Sequence, residues 1–259
     1  MSFDWPFFWH YLFEPNSLFV TGLVLTVVLS VVSQIIGTAL GLAAALARIS
    51  RLRALQAVAG FYIWVMRGTP LLVQIVFIYT GLAAANIFRF HDLDLSVFVI
   101  AGNVQAGILA LSLNEGAYMA EIIRAGIASV DHGQGEAASS LGMTQALLMR
   151  RIILPQAARL IIPPLGNQFN IMLKNSTLVS IIGVPELLLA TETINSATFR
   201  TFELYSVVGL YFLTLTTLWA FVQHWIEVRF AAPSRDGTDA AAVGPRRFVL
   251  RNLMNAVSR

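Results

Sequence analysis

Long apolar stretches separated by short polar segments dominate this chain. The five that are long enough to span a membrane cover residues 18–47, 54–85, 95–128, 160–183 and 204–228. Each exceeds the roughly 20 residues that an α-helix needs to cross a bilayer. The pattern therefore predicts an all-α polytopic membrane protein with five transmembrane helices, preceded by a segment 1–17 and followed by a tail 231–259.

The distribution of arginines predicts the orientation of these spans. If the N-terminus lies outside, the segments after spans one and three and the C-terminal tail are cytoplasmic, and they hold most of the arginines. The external segments then contain only Arg89 and Arg200. Because cytoplasmic loops of membrane proteins carry an excess of basic residues, we expect an external N-terminal segment and a cytoplasmic C-terminus in the cell (inner) membrane.

The basic tail has two possible structures. Its last residues, RRFVLRNLMNAVSR, place apolar side chains at helical spacing with arginines opposite them. This pattern fits either a short helix lying on the inner leaflet or a disordered basic tail. In both cases a basic surplus beside apolar spans indicates contact with membrane lipid and not with nucleic acid.

Composition excludes several kinds of chemistry. Charged residues make up 12% of the chain, about half the share in a soluble domain. There are no cysteines, and the four histidines lie far apart, so no metal site is expected. The only lysine is Lys174, which follows a leucine, so the chain lacks the Gly-Lys-Ser/Thr of a phosphate-binding loop. Any ATP hydrolysis must come from a partner chain.

The polar segment of about 131–156 lies between spans three and four. Residues 133–142, GQGEAASSLG, favour a short helix, and Gly142 permits a sharp turn. A second short helix should follow, and Pro155 is expected to stop it. Two short helices joined at Gly142 would form a knob whose small side chains suit docking into a groove of another protein.

This segment carries a family resemblance. EAASSLG followed by IILP resembles the EAA signature of ABC importer permeases, and the blocks MRGTPLLVQ, AYMAEIIRAGI and LKNSTLVSIIGVPELL are similar to permeases for histidine, glutamine, arginine and opines. The resemblance implies a type I ABC importer transmembrane domain over 18–230. It also implies an ATPase-coupling surface at Gly135, Glu136, Ala137, Ala138, Ser139, Leu141, Gly142, Leu154 and Pro155.

The resemblance further implies the function and the partners. A permease of this class would form the pathway of an amino-acid importer with an ATPase dimer, a second permease chain, identical or homologous, and an extracytoplasmic amino-acid-binding protein. ATP and magnesium would be bound by the ATPase, with no cofactor and no catalytic residue on this chain. The alternatives are an intramembrane enzyme and an ATP-independent secondary transporter. The first would need a nucleophile with a base, paired aspartates or metal ligands inside the spans, and the second usually has an inverted repeat.

Polar residues inside the spans predict a substrate pathway. Pro70 should kink or break span two beside Arg67, because proline lacks a backbone donor. The carboxylate of an amino acid could meet Arg67 or Lys174, and its ammonium group could meet Glu115. The tentative pathway residues are Arg67, Gln74, Asn114, Glu115, Lys174, Asn175, Ser176 and Thr177. Alternatively, such residues pair with one another and hold the bundle together, as we expect for Glu121 with Arg124.

Overall fold

The computed structural model describes residues 3–94, 96 and 99–230, and most of these are helical. The helices are α1 (Trp5–Phe13), α2 (Ser17–Ile49), α3 (Arg53–Gly68), α4 (Leu71–Val76), α5 (Leu82–Ala84), α6 (Gly102–Ala128), α7 (His132–Ser140), α8 (Gln145–Leu148), α9 (Leu154–Asn175), α10 (Leu187–Thr198) and α11 (Thr201–Phe230). Two short strands, β1 (Leu93–Asp94) and β2 (Val99–Ile100), pair in antiparallel orientation. The two structures considered for the tail 231–259 concern residues outside the described part.

The predicted first and fifth spans correspond to α2 and α11. Both helices are long and apolar enough to cross a membrane by themselves. The Asn16 side chain caps α2 by accepting the backbone N–H of Phe19 at 2.9 Å. At about 1.5 Å per residue, α2 is about 50 Å long, so it must tilt or protrude from a hydrocarbon layer about 30 Å thick.

The predicted second span is broken at the position of Pro70. Helix α3 ends at Gly68, and the helical segment Leu71–Ala84 continues at an angle of 110° to it. This second segment contains a π-helical turn at Phe77–Gly81 between α4 and α5. The break expected from the proline is confirmed, and it is sharp enough to make two differently directed helices of one apolar stretch.

The predicted start of the third span at Leu95 is wrong. Helix α6 begins only at Gly102, and Val99 and Ile100 instead pair with Asp94 and Leu93. The apolar run before α6 is short, and such runs do not distinguish a strand from a helix by their periodicity. Asp92 stabilises the end of this hairpin, since its side chain accepts the backbone N–H of Gly102 at 2.8 Å.

The predicted fourth span differs at its N-terminal end, whereas its predicted end at residue 183 is one residue past the observed helix. Its helix begins at Leu154 and not at residue 160, and it passes through Pro163 and Pro164 before tightening into a 3₁₀ helix at Ser176–Ile182. The chain then continues into α10, which begins at Leu187. A bend of 52° separates α10 from the preceding segment.

By length and composition, up to four helical segments in the described residues could cross a membrane. Two are the single helices α2 and α11, and two are the bent pairs formed by α3 to α5 and by α8 to α10. Helix α6 is about 40 Å long at 1.5 Å per residue, but it carries charges in its second half. The five-span topology therefore stays a prediction.

Small residues bring α2 and α6 close together at the centre of the bundle. A β-carbon at Gly37 would lie 2.8 Å from Cβ of Glu115, and one at Gly41 would overlap Met119. Close approach through glycine is typical of membrane helices, whose association depends on van der Waals packing. Helix α9 packs against both helices and α11 packs on α9, where the Trp219 indole donates to the Gly166 carbonyl at 2.7 Å.

Candidate functional site

The predicted knob is present as α7 and the turn that follows it. Asp131 caps α7 by accepting the backbone N–H of Gly133 at 2.7 Å. Gly142 ends it with φ of 76°, a left-handed conformation that favours glycine. The N–H of Met143 reaches the Ala138 carbonyl at 3.1 Å and that of Gly142 reaches Ser139 at 3.0 Å, which together form a Schellman motif.

Pro155 does not stop a helix, contrary to the prediction. The chain is helical from Gln145 through a π-helical turn at Met149–Ile153 and on into α9, with the proline in the first turn of α9. A proline in a regular helix interior removes one hydrogen bond and clashes with the carbonyl four residues earlier. The π-helical turn changes the hydrogen-bond spacing just before Pro155, so the helix continues through it.

The knob presents a small apolar surface to its surroundings. Leu141 is 83% exposed, whereas Ala138 is buried against the rest of the segment. The serine hydroxyls of α7 donate to carbonyls within the helix, Ser139 to Gly135 and Ser140 to Glu136. A cleft beside them is lined by Asp131, Gly133, Gln134, Ala137, Ala138, Leu141, Met143 and Ile152. Leu141 is therefore exposed beside small side chains at the end of α7.

Two of the predicted pathway residues meet at the break between α3 and α4. The Gln74 amide donates to the Met66 carbonyl at 2.9 Å and to the Thr69 hydroxyl at 2.8 Å. Asn114 donates to the same Met66 carbonyl at 3.1 Å and to the Gln74 side-chain oxygen at 3.0 Å. Both side chains are buried. They satisfy backbone groups that the broken helix leaves free, as non-helical backbone at membrane depth requires.

Glu115 lies at a different place, at the junction of α2, α6 and α9. Its residue is only 4% exposed, and its carboxylate accepts from Gln34 at 2.9 Å and from Gln168 at 3.4 Å. Among the described residues no arginine, lysine or histidine forms an ion pair with it. The glutamate thus joins three helices through neutral amides. Sequence reasoning missed Gln34 and Gln168, although amides in apolar spans are a visible signal.

Arg67 lies in the last turn of α3 and extends over α6. Its guanidinium is 5.4 Å from the centre of the Tyr118 ring and 4.0 Å from the Glu121 carboxylate. Glu121 has a closer partner in Arg124, at 2.8 Å, which confirms the ion pair expected from their spacing. The Arg67 side chain is 44% exposed and donates no hydrogen bond to a described residue. It is therefore placed beside a carboxylate and an aromatic face while keeping donors free.

The segment Lys174–Thr177 marks the change from α-helix to 3₁₀ helix after α9. Ser176 is fully buried and donates to the Leu173 carbonyl at 2.8 Å, and Thr177 donates to the Lys174 carbonyl at 2.8 Å. Asn175 is half-buried at the junction. Lys174 is exposed and forms no ion pair with a described residue. Of these four side chains, the lysine is the one that offers an unused charge.

Sequence reasoning also missed a buried carboxylate at the start of α10. Glu186 is fully buried, and it caps α10 by accepting the N–H groups of Leu188 and Leu189, each at 2.9 Å. Thr26 of α2 donates to the same side chain at 3.4 Å. These bonds fix the corner after Gly183. In the described part of the chain, no group of three or more acidic or histidine side chains could hold a metal ion.

A protein-family comparison matches most of the chain. Residues 37–232 match the family described as binding-protein-dependent transport system inner membrane component. The chain belongs to this family. Membership of this family supports the predicted transporter subunit over both alternatives, the intramembrane enzyme and the secondary transporter.

Curated relatives of the permease cover nearly the same length. It is 35% identical over 229 residues to the glutamine transport system permease protein of Escherichia coli strain K12, covering 88% of this chain and 98% of the relative. It is 38% identical over 217 residues to the octopine transport system permease protein of Rhizobium radiobacter, covering 83% and 85%. The arginine transport system permease protein of Corynebacterium glutamicum is 36% identical over 234 residues, covering 88% and 72%.

Solved structures confirm the permease fold. A crystal structure of an amino acid ABC transporter with histidines has a chain 41% identical to this one, with a TM-score of 0.78, covering 88% of this permease and 100% of that chain. The methionine ABC transporter MetNI in inward-facing conformations gives a TM-score of 0.68 at 18% identity, covering 85% and 99%. The second likeness concerns the fold alone. Together they confirm the predicted type I ABC importer permease fold.

Proposed function

We propose that this permease forms the membrane pathway of an importer for a polar amino acid. The observation that carries the proposal is the likeness, at 41% identity and over the full length of the other chain, to a solved amino acid ABC transporter. The relatives named for glutamine, arginine and octopine transport support the same class of cargo. All three named cargoes carry an amino acid's carboxylate, so recognition of that group is the common requirement.

The knob of α7 and Gly142 is proposed as the contact with a separate ATPase dimer, which binds ATP and magnesium. An exposed Leu141 beside small side chains gives the apolar contact, and the Schellman turn holds the knob in one conformation. Leu154 and Pro155 stay in this proposal as the exposed start of α9, at the edge of the contact. A second permease chain, identical or homologous, and an extracytoplasmic binding protein would complete the importer.

Arg67 and Lys174 are proposed as the cations that meet the substrate carboxylate. Both are exposed on the described chain, and neither is engaged in a close ion pair. The planar guanidinium of Arg67 can hold a carboxylate through two parallel hydrogen bonds, with Tyr118 beneath it. Gln74 and Asn114 would shape the pathway by holding the helix break. Glu115 is not assigned to the substrate ammonium, because its carboxylate is buried and already hydrogen-bonded.

The cargo is tested by uptake of a panel of labelled amino acids in cells that lack this chain. Cells complemented with the wild-type permease should regain uptake of at least one polar amino acid. Gly142→Val serves as the matched comparison, since it should reach the membrane but support less uptake. Restored uptake of a sugar or peptide, with no amino acid affected, would contradict the proposed cargo.

A further inference from the structure

Helix α1 is an aromatic helix fastened to the beginning of α11. The Asp4 carboxylate forms an ion pair with Arg200 at 3.0 Å, and the Asp4 backbone N–H donates to the Glu203 carboxylate at 2.8 Å. Further along, the Tyr211 hydroxyl donates to the Leu12 carbonyl at 2.9 Å. These contacts join both ends of α1 to α11, so the two helices form one rigid unit.

An exposed aromatic stripe runs along α1. Trp5, Trp9 and Phe13 recur every fourth residue and are 57%, 48% and 73% exposed. Their rings stack along the helix, with centroids 6.3 Å apart for the first pair and 5.7 Å for the second. Tryptophan is enriched where a membrane meets water, because its ring is apolar but its N–H needs a polar partner.

An open apolar groove of about 640 Å³ lies between α1 and α11. It is lined by Phe3, Trp5, Phe8, Phe202, Ser206, Gly209, Leu210 and Leu213. A β-carbon at Gly209 would meet nothing within 4 Å, so the glycine leaves the floor open. The Ser206 hydroxyl donates to the Phe202 carbonyl at 2.7 Å, so it does not need a water molecule as its partner.

We propose that this groove binds an acyl chain of a membrane phospholipid, with the aromatic stripe of α1 lying at the headgroup boundary. The length fits, since Phe202 to Leu213 spans about 17 Å at 1.5 Å per residue, close to the roughly 15 Å of one hydrocarbon leaflet. The walls carry no charged side chain, and the arginine near the mouth, Arg200, is already paired with Asp4. A chain of methylenes matches both the shape and the chemistry.

Lipid is favoured over water or protein as the occupant because the groove continues onto a helix that crosses the membrane. Helix α11 is long and apolar enough to cross a membrane, and only 11% of its most apolar window is buried. Its exposed side chains below the groove, such as Leu218 and Phe221, are equally apolar. Water over this apolar surface would be unfavourable.

Native mass spectrometry of the assembled transporter tests retention of the lipid. Gly209→Phe should place a ring in the groove, since a β-carbon there meets nothing within 4 Å, and remove about one retained phospholipid per permease chain. Leu218→Phe, on the exposed part of α11 outside the groove, should leave retention unchanged. Equal lipid retention by the wild type and Gly209→Phe would overturn the proposal.

A spin label provides a second test that does not require filling the groove. Because the chain has no cysteine, Ser206→Cys gives a single labelling site. In phospholipid vesicles the label should be accessible to oxygen, which dissolves in lipid, and inaccessible to a water-soluble nickel complex. Accessibility to nickel would mean that water fills the groove. Inaccessibility to both reagents would mean that protein covers it, and either result contradicts an acyl chain.

Discussion

Replacing Gly142 with valine tests how much one backbone conformation contributes to binding of the permease by its ATPase. Gly142 has φ of 76°, and a β-carbon there would meet nothing within 4 Å. The substitution therefore creates no clash, and its cost comes from the left-handed backbone, about 1–2 kcal/mol for an ordinary L-residue. We expect valine at the upper end, because β-branched residues are rare at positive φ.

A cost of this size reduces the population of the native turn by about 5–30-fold relative to its alternatives. If the ATPase binds only the native turn, its affinity for the permease should fall by up to that factor. Titrating the ATPase onto purified, detergent-solubilised permease measures this directly. Gly142→Asn is the matched control, because asparagine adopts the left-handed conformation at low cost. Normal affinity for the valine variant, or equal loss for the asparagine variant, would refute the conformational argument.

Three further predictions concern topology, recognition and packing. Single cysteines at Ser139 and at Asp92 should react with impermeant reagents only from the cytoplasmic and only from the external side, respectively; an Asp92 site labelled from the cytoplasm would overturn the five-span topology. Arg67→Ala should reduce uptake strongly and Arg67→Lys should also weaken it, both at normal yield of assembled complex; a matched fall in yield would assign a structural role. Gly37→Leu should destabilise the permease by about 1–3 kcal/mol through overpacking and lower its melting temperature, whereas Gly68→Ala, with open space around it, should have little effect; equal melting temperatures would contradict the close contact.

Features encoded locally were predictable from the sequence. Helices α2 and α11 follow from long uninterrupted apolar stretches, which leave no other way to satisfy the backbone in a membrane. The break at Pro70 follows from the missing donor of proline, and the turn at Gly142 follows from the freedom of glycine. In each case the residue type itself restricts the backbone, whatever surrounds it.

Features that depend on distant contacts were not predictable in this way. The hairpin before α6 requires Val99 to find a partner strand, which a single apolar run does not specify. Helix α10 was missed because only its first turn is strongly apolar, yet it packs against α2, where a β-carbon at Gly22 would lie 3.0 Å from Ala190. Pro155 is accommodated by a π-helical turn, and no residue type in the segment predicts that turn.

The candidate pathway illustrates the same limit. Sequence selected polar residues at membrane depth, but their partners lie far away along the chain. Glu115 is bonded to Gln34, 81 positions away, and to Gln168, 53 positions away. Gln74 and Asn114 are 40 positions apart and meet at the helix break. Which polar side chains are engaged, and which remain available, is decided by helix packing and not by local pattern.

Dependence of amino-acid import on a separate ATPase distinguishes this permease from a secondary transporter. Its most direct test is uptake by proteoliposomes that contain the permease with its ATPase, binding protein and any second permease chain. We expect amino-acid accumulation that requires ATP inside the vesicles and disappears when the ATPase is omitted. Accumulation by the permease alone, driven by an ion gradient without ATP, would contradict it.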